Sequence, residues 1–168
     1  MSKRDSSLWE AVCHAEASYK NARIALISGA TDIISVLRQA LQRPDQRGTA
    51  LRCFECLTEI QKRELFPELV RLASVGHSDI QLCRDAILSL PREWVCSRID
   101  GEVSPLLASA SEEEYRRIAE LYLELDGTLL ERHLDRALQH SDFEVREVAA
   151  DFRPKLLSSA KTKSDRSE

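Results

Sequence analysis

Glycine and proline are scarce in this chain, five of each in 168 residues, and aromatic side chains make up only 5%. Short strands joined by frequent turns need all three, so the composition argues against a β-sandwich and for helices. Long apolar runs are missing too; the longest are a few residues, far below what a bilayer span requires. Charge of one sign is also missing: 24 Lys and Arg stand against 28 Asp and Glu, a net charge of −4. A strongly basic, phosphate-seeking surface is therefore not implied by the whole chain. Behind the charged opening Met1-Ser2-Lys3-Arg4-Asp5 there is no apolar stretch, so no secretory signal is expected.

Hydrophobic residues at 43% and charged residues at 31% are the proportions of a folded protein. The length suits a single domain, expected over residues 7–157 with flexible termini at 1–6 and 158–168. Five cysteines (Cys13, Cys53, Cys56, Cys83, Cys96) are an odd number scattered along the chain. They are expected to be reduced thiols acting as small buried hydrophobes in the cytoplasm.

Apolar residues recur at spacings of three and four at Ala50, Phe54, Leu57 and Ile60, at Leu65, Leu69, Leu72 and Val75, and at Ile118, Leu121, Tyr122 and Leu125. No segment alternates long enough for a strand. Capping-box spacing at Ser7/Glu10, Ser78/Gln81, Ser111/Glu114, Thr128/Glu131 and Ser141/Glu144 marks helix starts. Thr58/Gln61 also fits but falls inside a helical pattern. Gly29, Pro44, Gly76, Pro91, Gly127 and Pro154 mark boundaries, and Gly101 with Pro105 are candidate breaks. Nine helices are expected, at roughly 7–28, 31–43, 48–61, 63–75, 78–90, 92–109, 111–126, 128–139 and 142–153. Short turns between the later ones predict antiparallel neighbours.

The chain also repeats itself. His77-Ser78-Asp79-Ile80-Gln81-Leu82 returns as His140-Ser141-Asp142-Phe143-Glu144-Val145, an offset of 63 residues. Carried on without gaps to Pro91 and Pro154, the alignment holds five identities in fifteen positions, against roughly one expected from composition. Helix starts near 48, 78, 111 and 141 supply intermediate beats of about 31 residues, two helices to a unit.

Asp142-Phe143-Glu144-Val145-Arg146-Glu147-Val148-Ala149-Ala150 resembles the D-x-x-V-R-x-x-A-A core of HEAT-like repeats, and is most similar to the short phycobilin-lyase type. The 79–90 unit keeps Asp79, Leu82 and Ala86 but places Cys83 where the arginine stands, and the 111–126 unit lacks the motif. The resemblance, spread over roughly 46–154, implies an all-α, right-handed α-solenoid of antiparallel helix pairs. In that fold the aspartate caps its helix, the small alanines admit a neighbouring helix, and the arginine reaches an acid of the adjacent repeat. Second helices line a concave surface, which here draws on Arg63, Glu64, Glu68 and Arg71, then Trp94, Arg98 and Glu102, then Arg132, His133, Asp135 and Arg136.

Charges of both signs along that ridge suit a protein partner better than a polyanion. The expected function is a non-catalytic protein-binding module, an adaptor, assembly chaperone or toxin-neutralising protein. Glu68, Arg71, Trp94, Arg98, Arg132 and Arg136 are its candidate contacts; no cofactor, metal or membrane is expected. Family resemblance keeps a second class open, a bilin lyase-like subunit or a DNA base glycosylase-like enzyme. A glycosylase, however, needs a basic channel; the ridge is of mixed charge, and the +3 tail from Arg153 onward is short. No Gly-rich phosphate loop, G-x-S-x-G or H-E-x-x-H occurs. Cys53-x-x-Cys56 has no second pair for a zinc ribbon, and Cys13 and His14 point to different sides of a helix. His77 and His140, each just before a repeat cap, are assigned a turn role. The run Glu112-Glu113-Glu114 opens a helix, where carboxylates are favoured.

Overall fold

A computed structural model describes residues 2–164 and is all-helical, with no strand among them. Ten α-helices follow one another: α1 (Lys3–Gly29), α2 (Ile33–Leu41), α3 (Pro44–Arg52), α4 (Glu59–Glu64), α5 (Phe66–Ala73), α6 (Ile80–Leu88), α7 (Arg92–Leu106), α8 (Glu112–Leu125), α9 (Gly127–Leu138) and α10 (Phe143–Ser164). Two 3-10 turns, Cys53–Cys56 and Leu107–Ser109, extend α3 and α7. The chain divides into two compact units, Met1–Lys62 and Arg63–Glu168, a boundary inside the span expected as one domain.

In the first unit Ile33, Leu37 and Leu41 of α2 bury their side chains, as do Ala50, Leu51, Cys53, Phe54 and Leu57. Asp32 caps α2 by accepting the Ser35 amide at 2.9 Å, and Arg47 donates from Nε to the Leu41 carbonyl at 3.0 Å. The helix expected over 48–61 is instead two. Pro44, whose missing N–H costs nothing at a helix start, opens α3 four residues early. Leu57 then turns extended (φ −80°, ψ 148°), and Thr58 begins α4. Thr58 and Gln61 form a true capping box, with the Gln61 amide donating to Thr58 Oγ1 at 3.3 Å and the Thr58 amide to Gln61 Oε1 at 2.9 Å. The break leaves Ile60 exposed, although Ala50, Phe54 and Leu57 are buried as their spacing predicts.

The second unit carries the larger core, from Leu65 to Phe152. Here α5 packs on α6 and α7, α8 on α9, and α10 on both α8 and α9. Val75 is exposed, but Ile118, Leu121, Tyr122 and Leu125 are all buried. Ala86 and Ala149, the paired alanines of the internal repeat, are buried on α6 and α10.

The helix ends depart from several expectations. Only the Ser111/Glu114 box forms as predicted. Ser7 lies inside α1, which starts at Lys3 behind a Ser2/Asp5 box, within a segment expected to be flexible. Thr128 is displaced by Asp126, whose carboxylate accepts the Thr128 and Leu129 amides at 2.9 and 3.2 Å. Asp142 rather than Ser141 accepts the Glu144 amide, at 2.9 Å. Asp79, not Ser78, sits at the start of α6. At 126 and 142 aspartate wins because its short, charged acceptor suits the positive helix terminus, whereas Asp79 makes no side-chain cap bond. Pro154 does not stop α10, which forgoes one backbone hydrogen bond there and continues to Ser164. Residues 158–164 of the expected flexible tail are thus helical, and 165–168 lie outside the described residues. Gly101 and Pro105 likewise sit within α7.

One buried charge network joins α6 to α8. Arg84, 7% exposed, donates from Nη2 to Glu120, and Arg117 donates to both Glu120 oxygens at 3.1 and 3.2 Å. Burial alone would raise the Glu120 carboxyl, but hydrogen bonds from Arg84 and Arg117 outweigh it and hold it below the ordinary carboxylate range. Glu113 accepts the Gly76 amide at 3.0 Å and faces Arg117 at 4.0 Å; a Cβ on Gly76 would run into its carboxylate.

Ala86→Leu and Ala149→Leu should each cost about 1–3 kcal/mol by overpacking, read as lowered urea midpoints. Glu120→Ala, which strands Arg84, should cost about 2–3 kcal/mol in the same assay. Arg84→Met should cost much less, because it removes the buried charge instead of orphaning it.

Candidate functional site

The candidate site lies where α9 meets α7 and α8 in the second unit. Asp100 of α7, Tyr122 of α8, and Arg132, His133 and Arg136 of α9 line a pocket of about 110 Å³ floored by Val103 and Leu129. The spacing of α9 explains the grouping: residues 132, 133 and 136 fall on one side of a helix. Leu129, Leu130, Leu134 and Ala137 of the same helix are buried.

Asp100 organises the pocket. Its Oδ2 accepts from Arg132 Nη2 at 2.6 Å and its Oδ1 from the Tyr122 hydroxyl at 3.0 Å. Burial first, then the Asp100 charge, push the Tyr122 phenol far above its usual range, so it stays protonated as a donor. His133 is buried, stacked 5.3 Å from the Tyr115 ring and edge-on to Tyr122 at 5.5 Å. Its Nε2 lies 2.8 Å from the Tyr115 carbonyl and donates to it, leaving Nδ1 as an acceptor. Burial, aided by nearby Arg136, lowers its pKa from 6.5 to about 4.

With Arg132 matched by Asp100, the exposed guanidinium of Arg136 is the pocket's unmatched charge; it makes no hydrogen bond or ion pair among the described residues. The arrangement can hold an anionic group such as a carboxylate. Neither titratable ring is poised for proton transfer near neutrality, since one is held neutral as a base and the other fully protonated as an acid.

The remaining expected contacts are dispersed. Arg71 is exposed in the last turn of α5, and Arg98 is exposed on α7. Glu68 is half-buried on α5. Trp94 is half-buried, edge-to-face with Phe66 at 5.0 Å and covered by the Arg63 guanidinium at 4.7 Å. The structure thus brings Arg132 and Arg136 into one pocket and leaves Arg71, Arg98, Glu68 and Trp94 outside it. Asp100 and Tyr122, which shape the pocket, escape sequence reasoning: no spacing links residues 22 apart on different helices.

Other sequence features resolve as structure. His77 and His140 do the same work: each Nδ1 accepts the amide two residues on, from Asp79 and Asp142, at 3.1 Å. Arg146 pairs with no acid among the described residues. It donates to the His140 and Ser141 carbonyls of its own turn at 2.8 and 2.7 Å, the nearer acceptors. The three acids opening α8 are all engaged, Glu112 with Arg116, Glu113 with Gly76, and Glu114 with Ser111. Cys53 and Cys56 sit in a 3-10 turn, and burial raises the Cys53 thiol pKa. Among the described residues no cluster of His, Cys, Asp and Glu could hold a metal, and no helix is long and apolar enough to cross a membrane.

Comparison of the chain with protein-family models, curated proteins and solved structures finds no match.

His133 makes stability depend on pH. The folded state holds the imidazole neutral, so its contribution is complete above pH 6.5 and is lost as pH falls toward 4, where the unfolded chain binds the extra proton. The loss is on the order of 3 kcal/mol. His133→Gln keeps a donor for the Tyr115 carbonyl but cannot titrate. Urea midpoints between pH 7 and 4.5 should fall steeply for the wild type and much less for this variant.

Proposed function

We propose that this chain is a non-catalytic protein-binding module of the HEAT-like solenoid type, acting in the cytoplasm as an adaptor, assembly chaperone or toxin-neutralising protein. Its partner presents carboxylates to the concave ridge of second helices, α5, α7 and α9. The observation that carries the reading is Arg136. Its exposed, unmatched guanidinium sits beside a pocket whose other cation is already satisfied, an arrangement that recognises a carboxylate and offers no acid, base or nucleophile for turnover. Two further unmatched arginines on the neighbouring helices, Arg71 and Arg98, extend the same chemistry.

Support for the solenoid comes from the repeat itself. His77 and His140 close equivalent turns in equivalent ways, and the Arg84–Glu120 contact joins the first helices of successive pairs. The packing of α5 on α7 and of α10 on α8 follows the same stacking logic. An odd number of cysteines scattered along the chain fits a reducing compartment. The enzymatic alternatives, a bilin lyase-like subunit or a base glycosylase-like protein, have less support. The pocket is small, and the exposed arginines alternate with acids instead of forming a channel.

The test is affinity capture with the wild-type chain against Arg71→Glu, Arg98→Glu and Arg136→Glu. Arg116 is unsuitable as a control, being tied to Glu112 and to Asp151 at 2.8 Å. Glu147→Lys, at an exposed position on α10, serves instead. A partner retained by the wild type and Glu147→Lys should be lost or weakened at least about tenfold by Arg136→Glu, all variants keeping helical circular dichroism. Equal recovery by every variant would move the interface elsewhere. Salt-sensitive binding to duplex DNA, measured at two ionic strengths, would favour the glycosylase-like reading.

A further inference from the structure

A long stretch of α1 leaves apolar side chains uncovered. Residues 7–22 of this helix are all exposed, and α1 meets its own unit only near its C-terminal end, where Arg23 pairs with Glu55 at 3.1 Å and Ile27 is half-buried. A helix in water without packing is marginal even at this length, because propagation barely outweighs nucleation. Residues 7–22 therefore need a partner surface.

Their sequence says which. Leu8, Val12, Ala15, Tyr19, Ala22 and Leu26 follow one another at spacings of 4, 3, 4, 3 and 4. That is the 3.5-residue repeat of a coiled-coil seam, not the 3.6 repeat of a helix lying on a globular core. Leu8 is 61% exposed, Val12 56%, Tyr19 38% and Leu26 40%. The sizes along the seam are self-complementary in one direction only. Turned about a two-fold axis at Ala17, the seam sets Leu8 opposite Leu26, Val12 opposite Ala22 and Tyr19 opposite Ala15, so bulky residues meet small ones through the middle. A parallel, in-register pair would instead stack Tyr19 on Tyr19 and leave facing alanines with a void.

We propose that α1 pairs antiparallel with α1 of a second copy of this chain. Ala11, Ser18 and Ala25 on one flank are small enough for close approach. Glu16 meets Glu16 of the second copy near the axis, the one like-charge contact in the seam. In a parallel pair Glu16 would face small residues instead.

Sedimentation equilibrium of the full chain up to about 100 μM should show a reversible dimer. Leu8→Glu combined with Val12→Glu, at exposed positions, should weaken it at least about tenfold, with no more helical circular dichroism lost than α1 itself supplies. Glu16→Gln should tighten it. For orientation, Cys13→Ser chains carrying Ser18→Cys should cross-link 18 to 18 with a short bis-maleimide, and chains carrying Ala22→Cys should not. A wild-type monomer throughout, a dimer indifferent to the Leu8/Val12 variant, or cross-linking at 22 in place of 18 would each overturn the proposal. Failure of the Arg136 experiment would leave it untouched, since the two surfaces share no residue.

Discussion

Arg84 is the constraint around which the second unit is arranged. A guanidinium this deeply buried must be met by a carboxylate, and the one that meets it, Glu120, lies a helix pair further along the chain. Satisfying Glu120 in turn recruits Arg117, and the same face of α8 sends Glu113 back to the Gly76 amide ahead of α6. The separation and rotation of α6 and α8 are thereby set by hydrogen-bond lengths as well as by apolar contact. Buried charge of this kind contributes little net stability, but it penalises every alternative packing that leaves Arg84 unpaired.

Short polar joints then set the angles between successive helices. Asp126 ends α8 and begins α9 in a single residue, and it also accepts from Arg92 at the start of α7 at 2.8 Å. The two histidine turns use a ring nitrogen where a longer loop would use a backbone carbonyl. Because these joints are short, the position of α9 against α7 and α8 leaves little freedom. That is why Asp100, Tyr122 and Arg132 meet at hydrogen-bonding distance. The pocket follows from the joints.

The two exposed surfaces differ in kind. Arg136, beside a polar pocket, is an exposed cation with no partner among the described residues, chemistry that would suit the proposed acidic protein partner. The seam of α1 is apolar and self-complementary, which suits a second copy. Held in a dimer, the chain would present two arginine-bearing faces at once, raising the effective affinity for any repetitive partner.

Much of this was legible in the amino-acid order. Scarce glycine and proline, with apolar spacings of three and four, determined an all-helical chain, because those features bias the backbone locally. The beat of the internal repeat determined where His77 and His140 close their turns, since each histidine binds an amide two residues away. Other features depended on competition between neighbours: Asp126 displaced Thr128, Thr58 broke a helix that the apolar pattern would have continued, and Arg146 turned to carbonyls of its own loop. Only the tertiary structure brought Asp100 to Tyr122 and Arg132, and Arg84 to Glu120. Those contacts join residues 20 to 40 apart, and their formation depends on how whole helices pack, a quantity no local spacing encodes.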